Sequence, residues 1–318
     1  MTATATHPGP ALVWDAGGPY SLHETLGILG RGPGDRTIRL TPGTAWLAFN
    51  TPDGPATLGI SQRGTELHAR AWGPGAGHAL HGAPSLLGRN DDWSPFDAPV
   101  FHATLPRLAR EARRRHPAVR LPATGRMVDA LVPAILEQKV TALEARRGYA
   151  TLLRKFGSTA PGAGSHPDIP ADLMVAPTPR QWAKIPSWEW HRAGVGPQRS
   201  ATVLRAAGSA SGLERLASLP ATEAAAKMQG IPGIGVWTAA EVTQRTHGDA
   251  DAVAVGDYHL AAFVGWALAG QPVDDAGMLE LLEPWRGHRQ RVVRMLYLSG
   301  FRKPARGPRM GIQDHRSH

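Results

Sequence analysis

Two short stretches carry residues whose types and spacing could do chemistry. In DAVAVGDYHLAAF, Asp257 follows a glycine and opens an apolar run with helical spacing. That is the N-cap position, where a carboxylate accepts hydrogen bonds from backbone N–H groups and holds a fixed negative charge. Alone it reads as a cap. Upstream, IPGIG at residues 231–235 joins an alanine-rich helix, ATEAAAKMQG, to a second helix, VWTAAEVTQRTHG. Gly233 and Gly235 are expected to allow positive φ and the close approach of another backbone. The N–H groups of residues 235–238 then stand at a new helix start, where the dipole suits a phosphate. Neither His191 nor His259 stands at metal-ligand spacing from another ligand-type residue in the sequence, so neither is read as a metal ligand.

The elements that must position these residues are legible in outline. TAWLAFN, ATLGISQ and TELHARAW alternate apolar and polar residues, with turn signals at Pro52-Asp53-Gly54 and Arg63-Gly64. Leu80, Ala83 and Leu87 then fall at helical spacing. From Pro106 the character is helical: Met127, Leu131, Ile135 and Gln138 share one face, and Ala145, Tyr149, Leu152 and Phe156 another. The Pro/Gly/Ser-rich stretch GSTAPGAGSHPDIPADLMVAPTP reads as a long loop. The expected class is α+β. A loose tail (1–12) precedes a small antiparallel sheet domain (13–105), an all-helical domain of two subdomains with a cleft between them (106–302), and a basic disordered tail (303–318). Trp182, Trp188 and Trp190 form an aromatic cluster that reads as helical core, with pocket lining as the alternative.

Composition narrows the classes. Lysine plus arginine (35) against aspartate plus glutamate (26) leaves +9, nearly all of it arginine, which pairs bidentately with phosphate. The absence of cysteine removes disulfides, thiolate catalysis, zinc fingers and iron–sulfur clusters. The N-terminus lacks the basic start and apolar core of a signal peptide, and no apolar run approaches about 20 residues. A cytoplasmic protein without a membrane partner is therefore expected.

Taken together, hairpin and carboxylate resemble the helix-hairpin-helix DNA glycosylase superfamily, with bacterial 3-methyladenine DNA glycosylase II as the nearest likeness. Along the chain, YSLHETLGILGRG, ALVPAILEQKVTALEA, APTPRQWAKI, GVGPQRSATV, IPGIGVWTA, VGDYHL and EPWRGHR follow that family's order. The resemblance implies a monofunctional glycosylase that flips alkylated purines (3-methyladenine, 7-methylguanine type) out of duplex DNA and hydrolyses the N-glycosidic bond. It implies Asp257 as the catalytic carboxylate, and Trp237, Glu241 and Tyr258 as base-pocket residues. Trp237 stands where strand-cutting members carry a Schiff-base lysine, so no lyase step is expected. Glu241 replaces an aromatic found in related enzymes.

Gln138, Lys139, Gly233, Ile234, Gly235, Val236 and Thr238 are the implied DNA contacts. At the family's gap-filling loop Lys139 departs from the usual apolar residue, Glu137 from the preceding glycine, and Gln138 would face the opposing base. No cofactor is required for catalysis. The carbonyls of Gln229, Ile231 and Ile234 could hold sodium or potassium at the hairpin. The implied partner is damaged double-stranded DNA, met by a monomer in the bacterial cytosol and nucleoid. A same-fold glycosylase for hypoxanthine, uracil or a bulky adduct, and a non-catalytic DNA-binding protein, stay open as alternatives.

Overall fold

The computed structural model describes residues 10–304, so most of both expected tails lies outside the described residues. Strands β1 (Ala11–Asp15), β2 (Ile38–Thr41), β3 (Thr44–Thr51), β4 (Gly54–Arg63) and β5 (Glu66–Trp72) form one sheet in the order β1-β5-β4-β3-β2. All its pairings are antiparallel. Two-residue turns close β3 on β4 (Thr51 opposite Gly54) and β4 on β5 (Arg63 opposite Glu66). Gly64, at φ 63°, supplies the left-handed residue that such a tight turn needs. The expected loose tail is corrected at its end, because β1 starts at Ala11 and pairs Ala11 with Arg70.

The strand alternation buries both faces of the sheet. Leu47, Phe49, Leu58, Ile60 and Leu67 pack under helices α1 (Leu22–Leu26) and α2 (Ala76–Leu86). On the other face Trp46, Ala48 and Trp72 meet Ala160, Ile169 and Leu173. That second layer is the expected long loop, pinned by the short pair β6 (Ser158–Thr159) and β7 (Met174–Val175). Asn50 Nδ2 donates to the Ala176 carbonyl (2.8 Å) and Thr57 Oγ1 to that of Pro161 (2.8 Å), so the loop is a lid on the sheet.

The helical part comprises α3 (Ser94–Asp97), α4 (Pro99–Thr104), α5 (Arg107–Arg115), α6 (Met127–Leu136), α7 (Ala142–Phe156), α8 (Pro179–Trp182), α9 (Ser187–Arg192) and α10 (Pro197–Gly208). It continues with α11 (Ala210–Arg215), α12 (Ala221–Met228), α13 (Val236–Thr246), α14 (Leu260–Ala269), α15 (Asp275–Leu282) and α16 (Arg289–Leu298). Two cores organise it. One gathers Leu131, Ile135, Leu152, Trp182, Trp190, Val203 and Met228. The other gathers Phe96, Leu105, Ala109, Val264, Leu282 and Val292. Helix α13 is shared: Ala239 and Val242 belong to the first core, while Ala240 belongs to the second and Trp237 packs against it.

Two expectations change here. Trp93, Phe96 and Leu105 sit in the second helical core, so the helical body begins near residue 93 rather than 106. The buried ion pair of Asp91 with Arg291 fastens that entry, and Trp93 Nε1 donates to the same carboxylate (2.5 Å). The tryptophan cluster divides: Trp182 and Trp190 stack 5.8 Å apart inside the first core, and Trp188 is exposed. Among the described residues no helix is long and apolar enough to cross a membrane, and no group of three or more acidic or histidine side chains is placed to hold a metal ion.

Candidate active site

The hairpin is built from its own backbone and one buried side chain. Ile231 N–H donates to the Met228 carbonyl and Ile234 N–H to that of Ile231, both at 3.0 Å, while Ile234 is inserted into the first core. Gly233 has φ 95°, and a Cβ there would stand 2.4 Å from Thr202 Oγ1, so both conformation and space demand glycine. Gly235 corrects the expectation of a second positive φ: its backbone is extended (φ −102°, ψ −176°), and an added Cβ would meet nothing within 4 Å. No packing inside the protein requires glycine at 235. The N-terminus of α13 carries no side-chain cap, which leaves its first N–H groups turned toward the surface beside the half-exposed Val236.

In the first turn of α13, Trp237 joins the hairpin to Asp257. Its Nε1 donates to Asp257 Oδ2 (3.2 Å), while Asp257 Oδ1 accepts the backbone N–H groups of His259 (2.8 Å) and Leu260 (2.9 Å). Helix α14 begins at Leu260 with His259 as its N-cap, so Asp257 lies two residues ahead of the expected N-cap position, yet three N–H donors still converge on its part-exposed carboxylate. Gly256, at φ 89°, makes the sharp entry, and its N–H donates to Asp275 Oδ2 (3.1 Å).

Around this pair the expected pocket residues part company. Glu241 follows Trp237 by one helical turn but is bound by Arg245 (2.8 Å), with Arg31 at 4.0 Å. It is a paired carboxylate rather than a bare one. Tyr258 is 80 % exposed, its ring edge-on to that of His259 at 4.8 Å. Tyr297, on α16, was not expected. It stacks on Phe263 (4.6 Å, interplanar angle 9°) and remains half exposed. Partial burial, with the Asp257 and Glu241 carboxylates close by, pushes its phenol up to about 12. The signal for it lay in α16, where the buried Val292, Val293, Met295 and Leu296 leave the aromatic off the core stripe.

The loop between α6 and α7 docks directly on the hairpin. Gln138 Nε2 donates to the Gly233 carbonyl (2.9 Å) and to Thr238 Oγ1 (2.8 Å). Its amide nitrogen thus ties the loop to the hairpin at a half-buried position. Thr238 is buried, as is the Ile234 side chain, so these two offer only backbone to a partner. Lys139 is exposed at φ 53°, the one non-glycine residue with positive φ among the described residues. At the turn, carbonyl oxygens are the donor type that suits a monovalent cation. The Ile231 oxygen keeps one lone pair beyond its bond to Ile234 N–H.

No protein-family model matches the sequence, and no curated protein matches it either. Solved structures do. A 3-methyladenine DNA-glycosylase from Archaeoglobus fulgidus superposes with a TM-score of 0.72 at 14 % identity, over 91 % of this chain and 99 % of the other. The protein MBOgg1, solved with a low-affinity DNA ligand, gives 0.68 at 13 % identity over 94 % and 98 %. The 8-oxoguanine glycosylase/lyase of Clostridium acetobutylicum gives 0.66 at 10 % identity over 91 % and 95 %. Sheet domain, two helical cores and hairpin together thus make up the α+β fold of the helix-hairpin-helix DNA glycosylases.

Proposed function

We propose that the protein is a monofunctional DNA glycosylase that removes alkylated purines of the 3-methyladenine and 7-methylguanine type from duplex DNA. The observation that carries this reading is the first turn of α13, which sets uncapped N–H groups beside Trp237 and, through the indole N–H, beside Asp257. A backbone phosphate on those N–H groups would bring the neighbouring sugar toward the carboxylate. The open space over Gly235 fits such close approach. The carbonyls of Gln229, Ile231 and Ile234 would hold a sodium or potassium ion, adding positive charge beside that phosphate.

Breaking the C1′–N bond sends its electron pair out with the base and leaves positive charge on the sugar. The fixed Asp257 carboxylate stabilises that charge and takes a proton from the water that attacks C1′. A cationic alkylpurine leaves readily, and its charge would be favoured against the Trp237 indole by about 0.5–2 kcal/mol. Because residue 237 is tryptophan, α13 offers no amine there for a Schiff base, and the product is an intact abasic strand.

The test is base release from methylated duplex DNA by the wild type and Asp257→Asn. The expected outcome is free 3-methyladenine or 7-methylguanine, alkali-labile sites, no strand cut and no borohydride-trapped adduct. Asp257→Asn should bind DNA but release base at least about a hundredfold more slowly. Binding without release by the wild type, across hypoxanthine and uracil substrates as well, would overturn the reading in favour of a DNA-binding protein.

A further inference from the structure

The sheet domain reaches the candidate site through the Arg31 side chain. Arg31 lies between α1 and β2, is 6 % exposed, and crosses to the helical body. Its backbone N–H is held by Asp35 Oδ2 (2.9 Å), and its Nη1 donates to Glu137 Oε2 (2.7 Å), with Glu241 Oε2 at 4.0 Å. Its Nη2 is buried with no protein partner, beside a cavity of about 70 Å³ lined also by Asp35, Arg126, Asp129 and Arg245. The contact is two-sided, because Arg245 Nε donates back to the Ile28 carbonyl (3.1 Å) and its Nη1 to Glu241 Oε2 (2.8 Å).

Glu137 is the residue before Gln138 and Lys139. Three ties therefore hold this short stretch. Arg199 Nη1 donates to the Leu136 carbonyl (2.8 Å), Arg31 binds Glu137, and Gln138 binds the hairpin. Beyond them comes Lys139 in a backbone conformation that side-chain-bearing residues rarely adopt. Such a conformation persists where the surroundings over-determine it. Among the three ties, Arg31 alone comes from outside the helical body, and the same guanidinium faces Glu241, one turn from Trp237.

We propose that Arg31 is a positioning residue: the sheet domain uses it to set the pose of the 137–139 loop against the hairpin, and so takes part in presenting Lys139 to DNA. The part about DNA rests on the glycosylase reading. The part about the loop does not. The unpaired Nη2 and the second carboxylate at 4.0 Å give the guanidinium a choice of partners, so loop and pocket helix are linked through one charge.

The experiment compares Arg31→Met, Arg31→Lys, Glu137→Gln and the Arg31→Met/Glu137→Gln double variant. Hydrogen exchange of the amides at 137–141 is read first, in the DNA-free protein. Arg31→Met and Glu137→Gln should each speed that exchange about tenfold while distant helices keep their protection. The double variant should be no worse than the poorer single one, because both remove the same contact. Arg31→Lys, which keeps a cation near Glu137, should recover most of it.

With lesion-bearing duplex, single-turnover release should fall about tenfold to a hundredfold in Arg31→Met, and affinity for undamaged duplex should fall as well, because the Lys139 ammonium is no longer held toward the phosphates. Unchanged exchange at 137–141 would overturn the proposal. So would a uniform loss of protection in Arg31→Met alongside a wild-type Glu137→Gln. If the wild type releases no base from any lesion, the glycosylase reading fails, and the exchange data still decide the role of Arg31.

Discussion

Two turns meet at the candidate site and depend on distant residues to different degrees. The hairpin at 229–235 is closed by short-range backbone bonds, by Ile234 pressed into the core and by Gly233 against Thr202, with Arg205 Nε on the Pro232 carbonyl (2.9 Å) and Gln138 on that of Gly233 as side-chain ties. The turn at 137–141 has local bonds too, Gln138 N–H to the Ile135 carbonyl (3.2 Å) and the Thr141–Glu144 capping box, but it draws on residues far along the chain as well: Arg31, 106 residues away, Arg199, 63 from the carbonyl it binds, and the hairpin, 95 from Gln138. What the hairpin offers a partner is backbone N–H groups at a helix start, and local glycine chemistry suffices to expose them. What the other turn offers is a lysine side chain in an uncommon conformation, and that takes supports from two domains. A helix start with free N–H groups is largely written in a short run of residues. A posed side chain is not.

The sharpest way to break this contrast is at Gly233. Alanine there meets both a positive φ and Thr202, whose Oγ1 donates to the Gln198 carbonyl (2.9 Å) and accepts from Arg205 Nη2 (3.0 Å), and so cannot step aside cheaply. Left-handed strain and overpacking together should cost about 2–4 kcal/mol in denaturant unfolding. Duplex affinity should fall with it, because the N-terminus of α13 must move. Alanine at Gly235, extended and unobstructed, should leave stability unchanged within about 0.5 kcal/mol and weaken only DNA binding. Equal losses at both glycines would dissolve the distinction between a turn that needs glycine for itself and one that needs it for a partner.

The same contrast explains what the sequence discloses. Strands β3, β4 and β5 are readable because tight turns join neighbours, and Asp257 with Trp237 because a short motif links them. Strand β1 is not, since ALVWD pairs with β5 across most of the domain and sits next to a proline- and glycine-containing start. Strand β2 is only four residues long. The boundary near residue 93 is hidden because Trp93 and Phe96 look the same in either core. Tyr297 and Arg31 escape for a related reason: each matters through residues more than a hundred positions away or on another helix. Gln138 is a subtler case. Its place on the helix face is evident, but nothing local says that its amide nitrogen binds the hairpin 95 residues on.

Gln138→Ala tests whether the two turns are one unit. It removes two hydrogen bonds and leaves the Thr238 hydroxyl buried without that partner, which should cost about 1–3 kcal/mol. Since the Gly233 carbonyl is one of the lost acceptors, the Gln138→Ala and Gly233→Ala costs should sum to more than the double variant shows. Strict additivity would mean that the turns are held independently and merely touch.

Lys139→Gly is expected to leave the fold intact and separates conformation from charge. The left-handed backbone at φ 53° penalises lysine by about 1–2 kcal/mol relative to glycine, which the greater freedom of glycine in the unfolded chain offsets by about 0.5–1 kcal/mol. Stability should therefore hold or rise slightly. If the loop exists to present the ammonium group to a phosphate, affinity should fall for every duplex sequence alike, and the slope of log K against log salt should become shallower by about 1. A variant more stable than the wild type but weaker on DNA is what a strained residue retained for function predicts. Unaltered affinity across the salt range would leave the strain at Lys139 without a partner to justify it, and would shift the weight of DNA binding wholly onto the hairpin.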